Sequence, residues 1–373
     1  MKFFRNLLIF SAVFCLLTHS DIHAAANVSA QSAILLEQST GDVLFEKNAH
    51  QRMPMASTTK IMTALCAIEH GDLSQTVKVH PDACGVEGSS IYLQSGDSLT
   101  LESLLYALML ESANDAAAAI ACEISGSIDG FAALMNETAV KLNLADTHFT
   151  NPHGLDAEQH YTTAADLAQL ANHAMQNATF RKIVSTQKHT ISLTHGDGET
   201  LSRVLINHNK LLRLSGDVNG VKTGFTKCSG RCLVSSAQRD GVSVIAVTLN
   251  APDDWNDHLA LHELGFASRT CYTLAEPGEF TIQLPCPTAR DGVVTVCSRD
   301  SLSVVRKNGL EISHIVEADR FLMPPVAEGQ LVGRVVFYAN SEMLGEIPLY
   351  TCESVPVPQD TRSAGQKILD LFR

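Results

Sequence analysis

The sequence predicts an α+β fold followed by a small all-β unit, and three observations carry that prediction. Apolar runs of strand formers stand at both ends of residues 27–270, and Ala-rich helical segments fill the middle. Past residue 271, short alternating runs replace every long helical period. Composition agrees with a folded chain. At 373 residues, 45% hydrophobic and 18% charged, with mean hydropathy +0.06, it is neither disordered nor polytopic in a membrane. The length suggests two domains. Forty acidic against 27 basic residues give −13, which argues against a nucleic-acid partner because phosphate contacts need a basic face.

Residues 1–26 read as a signal peptide. Lys2 and Arg5 precede an apolar stretch at 7–17 that is too short to span a bilayer, and Ala24-Ala25-Ala26 offers a cleavage site before Asn27. A lipoprotein signal at Cys15 is the alternative, but Phe14 stands where a small residue is needed. Losing Lys2, Arg5 and Asp21 leaves 25 basic and 39 acidic residues, or −14. Cys15 goes too, and the remaining cysteines mostly sit in apolar contexts as small hydrophobes. Cys228 and Cys232 are close enough to bridge, yet no second pair completes a zinc set.

Along the mature chain, 32–38 and 43–46 form a hairpin across Ser39-Thr40-Gly41-Asp42. Helices follow at 58–69, 101–110, 113–124 and 130–142, then one opened by Thr162-Thr163 as caps and running to 175. Strands at 221–226, 232–237 and 242–250 precede a closing helix at 254–266, and the sheet joins the first and last strands. Asp240-Gly241 makes the tight turn before the last strand. These elements make one domain at 27–272. A β-rich domain at 273–353 has strands at 281–284, 293–296, 302–305 and 331–338. Residues 354–373 are a linker and tail, with Ala364, Ile368, Leu371 and Phe372 on one helical stripe and a local charge of +2. Such a tail either lies in a membrane interface or packs on the β domain.

Three short motifs carry chemistry. Ser57-Thr58-Thr59-Lys60 opens an apolar helix, so Lys60 reaches the Ser57 hydroxyl and loses basicity by desolvation. Ser185-Thr186-Gln187-Lys188 has the same spacing but leads into an alternating stretch, and is dismissed. Ser112-Ala113-Asn114 lies between two Ala-rich helices and reads either as a helix cap or as a cleft loop. Lys222-Thr223-Gly224 lies on a strand. Its lysine is either edge protection or a substrate contact, and its glycine permits close approach by an extended peptide.

In this order, on these elements, the motifs resemble the low-molecular-mass penicillin-binding proteins, the serine D-Ala-D-Ala carboxypeptidases of the peptidase S11 family. Asn151-Pro152-His153-Gly154-Leu155, Asn207-His208-Asn209-Lys210-Leu211-Leu212 and 220–226 match the same pattern. The resemblance implies a β-lactamase/transpeptidase-like fold, an antiparallel sheet with a helical cluster. It implies an exported enzyme that removes the terminal D-Ala from peptidoglycan pentapeptide stems and is acylated by β-lactams, without cofactor or metal. Ser57 would be the nucleophile, Lys60 its base and Ser112 a proton relay. Asn114 would bind the peptide, and Lys222 and Thr223, beside Gly224, the terminal carboxylate. The N–H groups of Ser57 and Phe225 would form the oxyanion hole. In some members arginines lie near the positions of His208 and of Asp257-His258, and none stands there in this chain. A β-lactamase, which would need a deacylating glutamate, and a non-catalytic wall-binding module are the alternatives. His258 and His262 are expected on a helix surface rather than at a metal, Asp166 at a helix start, and Cys228 in a plain loop.

Overall fold

Residues 32–37 are buried at every position, which explains why they read as a continuous apolar run. This strand lies between two layers and has no wet face. The computed structural model describes residues 27–358; the expected signal segment and the amphipathic tail lie outside the described residues.

The chain begins with the expected hairpin, β1 (Ser32–Glu37) and β2 (Val43–Lys47). A 3-10 turn at Ala56–Thr59 leads into α1 (Lys60–His70). The short strands β3 (Thr76–Lys78) and β4 (Ser98–Thr100) precede α2 (Leu101–Leu110), α3 (Asn114–Ser125), α4 (Ile128–Lys141), α5 (Ala164–Ala174) and α6 (Ala178–Ser185). Thr100, Ser127, Thr163 and Asn177 cap α2, α4, α5 and α6 through their side chains. Next come the hairpin β5 (Lys188–Thr194) and β6 (Thr200–Ile206), the one-turn helix α7 (Leu211–Leu214), the strands β7 (Val218–Thr226), β8 (Gly230–Arg239) and β9 (Val242–Leu249), and α8 (Asp254–Ser268).

The main sheet has the order β2-β1-β9-β8-β7. As expected, β1 pairs with β9, with Ser32 opposite Leu249. Alternation then assigns each face its partner. Ile34, Val234 and Val247 face a core shared with α1 to α5, while Leu35, Leu233 and Ala246 face one closed by Leu261 of α8. A smaller sheet, β3-β4-β5-β6, flanks the helical side. The order leaves β7 at the edge of the main sheet, and the turn before α1 packs against it.

Beyond α8 the structure is all β: β10 (Arg269–Ala275), β11 (Thr281–Pro285), β12 (Val293–Ser298), β13 (Leu302–Lys307), β14 (Ile312–Ala318), β15 (Leu331–Ala339) and β16 (Glu342–Thr351). They form a β10-β13 ribbon and a sheet of order β11-β12-β16-β15-β14 around their own core, which runs from Leu274 to Val355. The α+β assignment with a following β region holds. α6 and β6 have no counterpart among the expected elements, and β5 falls on the stretch after Ser185 that is expected only as alternating. The strand pair buries few apolar side chains, Ile191, Leu193 and Leu205 among them, so its period-2 signal is faint.

Candidate active site

Ser57 lies in the 3-10 turn just ahead of α1, and Lys60 is that helix's first residue. The expected helix at 58–69 therefore begins two residues late. The difference favours the pair, because side chains at i and i+3 eclipse in a 3-10 turn. Ser57 Oγ stands 2.9 Å from Lys60 Nζ. The threonines between them brace the turn. Thr58 Oγ1 donates to Met55 O (2.6 Å) and Thr59 Oγ1 to Ala56 O (2.8 Å). His160 Nε2 meets Thr59 Oγ1 at 2.7 Å, while its Nδ1 accepts from Thr150 N at 3.0 Å. That ring is neutral, since burial pushes its pKa down to about 4.

Lys60 is fully buried. Its Nζ also lies 2.7 Å from Asn114 Oδ1 and 2.5 Å from His153 O. Both atoms are acceptors only; the Asn114 amide is oriented by its Nδ2 donating to Glu87 O at 2.5 Å. A neutral amine has two N–H donors and one lone pair. Two carbonyl acceptors take the donors and leave the lone pair for the Ser57 hydroxyl. Burial, and after it the charge of Lys222, holds Lys60 well below its ordinary 10.5. Burial also lowers the His153 ring to about 3, so it adds no competing charge.

The His153 carbonyl is delivered by a turn that Asn151 organises, its Oδ1 accepting from Gly154 N at 2.7 Å. Gly154 adopts φ +88, and a Cβ there would stand 2.0 Å from Ala56 O. Only glycine lets this turn lie against the Ser57 turn.

The cap reading of Ser112-Ala113-Asn114 does not hold. Ala113 is the N-cap of α3, without a side-chain cap, and the Asn114 side chain turns to Lys60 instead. Ser112 is buried at φ +61, and among the described residues its hydroxyl has no hydrogen-bond partner. Asp115 fixes the surroundings of this turn by accepting from Ser90 Oγ (2.6 Å), Ile91 N (3.2 Å) and Leu93 N (2.9 Å).

Lys222 corrects the expectation of a solvated edge lysine. It stands on the edge strand β7, yet it is 2% exposed, because the Ser57 turn covers that edge. Burial lowers it to about 7. Gly224 admits the same turn: a Cβ there would lie 3.1 Å from both Ala56 Cβ and Ser57 N. Thr223 is half-buried and Phe225 is 66% exposed on the same strand. The structure thus joins Ser57, Lys60 and Asn114 by hydrogen bonds and sets Lys222 and Gly224 against them.

The family model for D-alanyl-D-alanine carboxypeptidase, Peptidase_S11, matches residues 19–253. The chain belongs to that family. Among relatives of this S11 chain, D-alanyl-D-alanine carboxypeptidase DacC of Escherichia coli (strain K12) is 30% identical over 89% of this chain and 85% of its own. DacF of Bacillus subtilis (strain 168) is 29% identical over 90% and 87%. Among solved structures, the Streptomyces K15 DD-transpeptidase superposes with TM-score 0.62 at 32% identity, covering 65% of this chain and 98% of that one. The D-alanyl-D-alanine carboxypeptidase DacD from Francisella tularensis gives 0.61 at 25%, covering 89% and 95%.

Several residues of this S11 enzyme's site carried no role in the sequence. His160 acts through Thr59 Oγ1 and Thr150 N, and Asp115 through Ser90 Oγ and two backbone N–H groups, contacts that no spacing announces, whereas Asn151 and Gly154 fall in the stretch 151–155 that matches the family pattern. Glu111, beside Ser112, holds His208 at 3.1 Å and accepts from Ile206 N at 2.6 Å. His258 and His262 are not on a helix surface. Both are buried and share Ser235 Oγ, at 2.6 and 2.7 Å. Among the described residues no group of three or more His, Cys, Asp or Glu is placed to hold a metal ion. Asp166 stands in the first turn of α5, its N–H bonded to the capping Thr163. Cys228 is exposed, and it and Cys232 are free thiols. Glu137, the glutamate between the second and third motifs, lies within α4.

Proposed function

We propose that Ser57 carries the acyl-enzyme of this D-alanyl-D-alanine carboxypeptidase, with neutral Lys60 as the base that takes its proton. The supporting observation is the bond count at Lys60 Nζ, whose two carbonyl acceptors leave a lone pair 2.9 Å from the hydroxyl. Attack on the penultimate D-Ala carbonyl forms a tetrahedral oxyanion, which the N–H groups of Ser57 and Phe225 receive. Losing one such donor typically costs about 10²–10³ in rate. Ser112 passes a proton to the departing D-alanine, Asn114 holds the peptide, and Lys222 with Thr223 binds the terminal carboxylate. Water then hydrolyses the ester. β-Lactams acylate the same serine because they too present an activated carbonyl.

Peptidoglycan lies outside the cytoplasmic membrane, so the enzyme acts there. We assign residues 1–26 to export, 27–272 to the acylating unit, 273–353 to the β-rich unit, and the tail in 354–373 to a weak, reversible membrane contact. Ser57→Ala should abolish both labelling by fluorescent penicillin and D-alanine release from diacetyl-L-Lys-D-Ala-D-Ala. Ser185→Ala should leave both near wild type, because the Ser185 hydroxyl is spent on Lys182 O at the end of α6. Retained labelling in Ser57→Ala would overturn the assignment.

A further inference from the structure

The backbone at Ser112 is left-handed, at φ +61, a conformation that a residue with a Cβ keeps only where its neighbours impose it. Its buried hydroxyl makes no hydrogen bond among the described residues. No side-chain contact fixes Ser112 Oγ, so its place is set by how the turn is anchored at either end.

Downstream, the turn is tied to residues 87–93. Asn114 N donates to Ser89 O at 2.7 Å, and Asp115 accepts from Ser90, Ile91 and Leu93. Upstream, the tie is Glu111, the residue that ends α2. Its Oε1 accepts from Ile206 N at 2.6 Å, a charge-assisted bond to backbone, and its Oε2 lies 3.1 Å from His208 Nε2. His208 N in turn donates to Leu110 O at 3.2 Å.

The segment that Glu111 grips is itself fixed. Asn207, between the two gripped residues, is 3% exposed. Its Nδ2 donates to Val184 O (3.3 Å) and Thr186 O (3.0 Å) at the end of α6, and its N to Gln187 O (2.9 Å). The Ser112 turn is therefore referenced to the helical side of the cleft through one carboxylate. The acylation steps described above give that carboxylate no part.

We propose that Glu111 is a positioning residue for the reaction: by gripping Ile206 and His208 it holds the Ser112 hydroxyl where a proton can pass to the leaving group. This rests on the relay role of Ser112 proposed above. It requires an acceptor of this length rather than a charge near the reacting atoms. The test is a double-mutant cycle on the mature protein, read as acylation by fluorescent penicillin over a range of concentrations. Glu111→Ala should lower the limiting acylation rate by about 10–100-fold, the scale of a misplaced catalytic group, and leave the half-saturating concentration near that of wild type. Glu111→Gln keeps an acceptor for Ile206 N and should stay within about two-fold of wild type, the error of such comparisons. In a Ser112→Ala background, Glu111→Ala should cost nothing further, because the group it positions is gone. Wild-type acylation by Glu111→Ala, a Glu111→Gln protein as slow as Glu111→Ala, or an equal loss in the Ser112→Ala background each overturns the proposal. Undiminished acylation by Ser112→Ala alone would overturn the relay reading, and this one with it. Should Glu111→Ala fail to fold, His208→Ala opens the clamp at its other end, and its loss should likewise vanish in Ser112→Ala.

Discussion

Two buried lysines facing one another form an arrangement that folding alone would avoid. Removing an ammonium from water costs more than any nearby partner returns here. Lys222 shows the sign. Its folded pKa, about 7, lies below the unfolded 10.5. Between those values the unfolded chain binds the extra proton, so stability rises with pH across the window, and the deficit is complete below pH 7. Lys222→Met should therefore stabilise the fold at pH 7 by on the order of a few kcal/mol, with the gain fading toward pH 10.5, as urea denaturation at pH 7 and 10 can measure. The same variant should lose D-alanine release. Activity has the opposite dependence on this residue. With the roles proposed above, in which the Lys222 cation captures the carboxylate and neutral Lys60 abstracts the proton, kcat/KM should follow a bell whose alkaline limb falls near pH 7. An alkaline limb near pH 10 would show that Lys222 keeps its ordinary basicity in the site, and an alkaline limb unchanged in Lys222→Arg would remove Lys222 from it.

Elements place these residues through close backbone approaches more than through side-chain contacts. The 3-10 turn at Ala56–Thr59 is held between β7, through Gly224, and the Asn151 turn, through Gly154. Gly154→Ala puts a methyl where Ala56 O stands and forces a side chain onto φ +88. The expected cost is about 1–3 kcal/mol of stability, together with a slower second-order acylation by penicillin, because the displaced carbonyl belongs to the residue before Ser57. Acylation at the wild-type rate in a folded Gly154→Ala protein would show that the turn tolerates the shift. Motif spacing on the chain measures none of this. Ser57-x-x-Lys60 and Ser185-x-x-Lys188 look alike as strings, yet Ser185 ends α6 and Lys188 starts β5 with its side chain exposed.

At the scale of the molecule, the β-rich region continues as far as Val355, which is 6% exposed and bridges Val326. A truncation that isolates the tail must therefore begin after Pro358. Removing residues 359–373 should release the mature protein from anionic vesicles in a sedimentation assay and leave D-alanine release from soluble peptide unchanged. Attachment should be weak even in the full chain, since interfacial burial is partial and ordering the helix costs backbone entropy. Equal sedimentation of the truncated protein would assign the tail to packing on the β-rich region.

The sequence by itself determined the α+β class, the pairing of β1 with β9, most helix positions and the three motifs. These follow from periodicity and local propensity, which neighbouring residues encode. It also located the Ser57 and Lys60 pair, because a helical start fixes an i, i+3 contact without outside help. Only the tertiary structure decided the states of the lysines. Lys222 reads as an exposed edge residue until another segment covers the edge. Lys60 is desolvated and held by acceptors only when Asn114 and His153, from distant parts of the chain, bring their carbonyls to it. Burial and hydrogen-bond satisfaction are properties of the assembled fold, and the chemistry of this site depends on both.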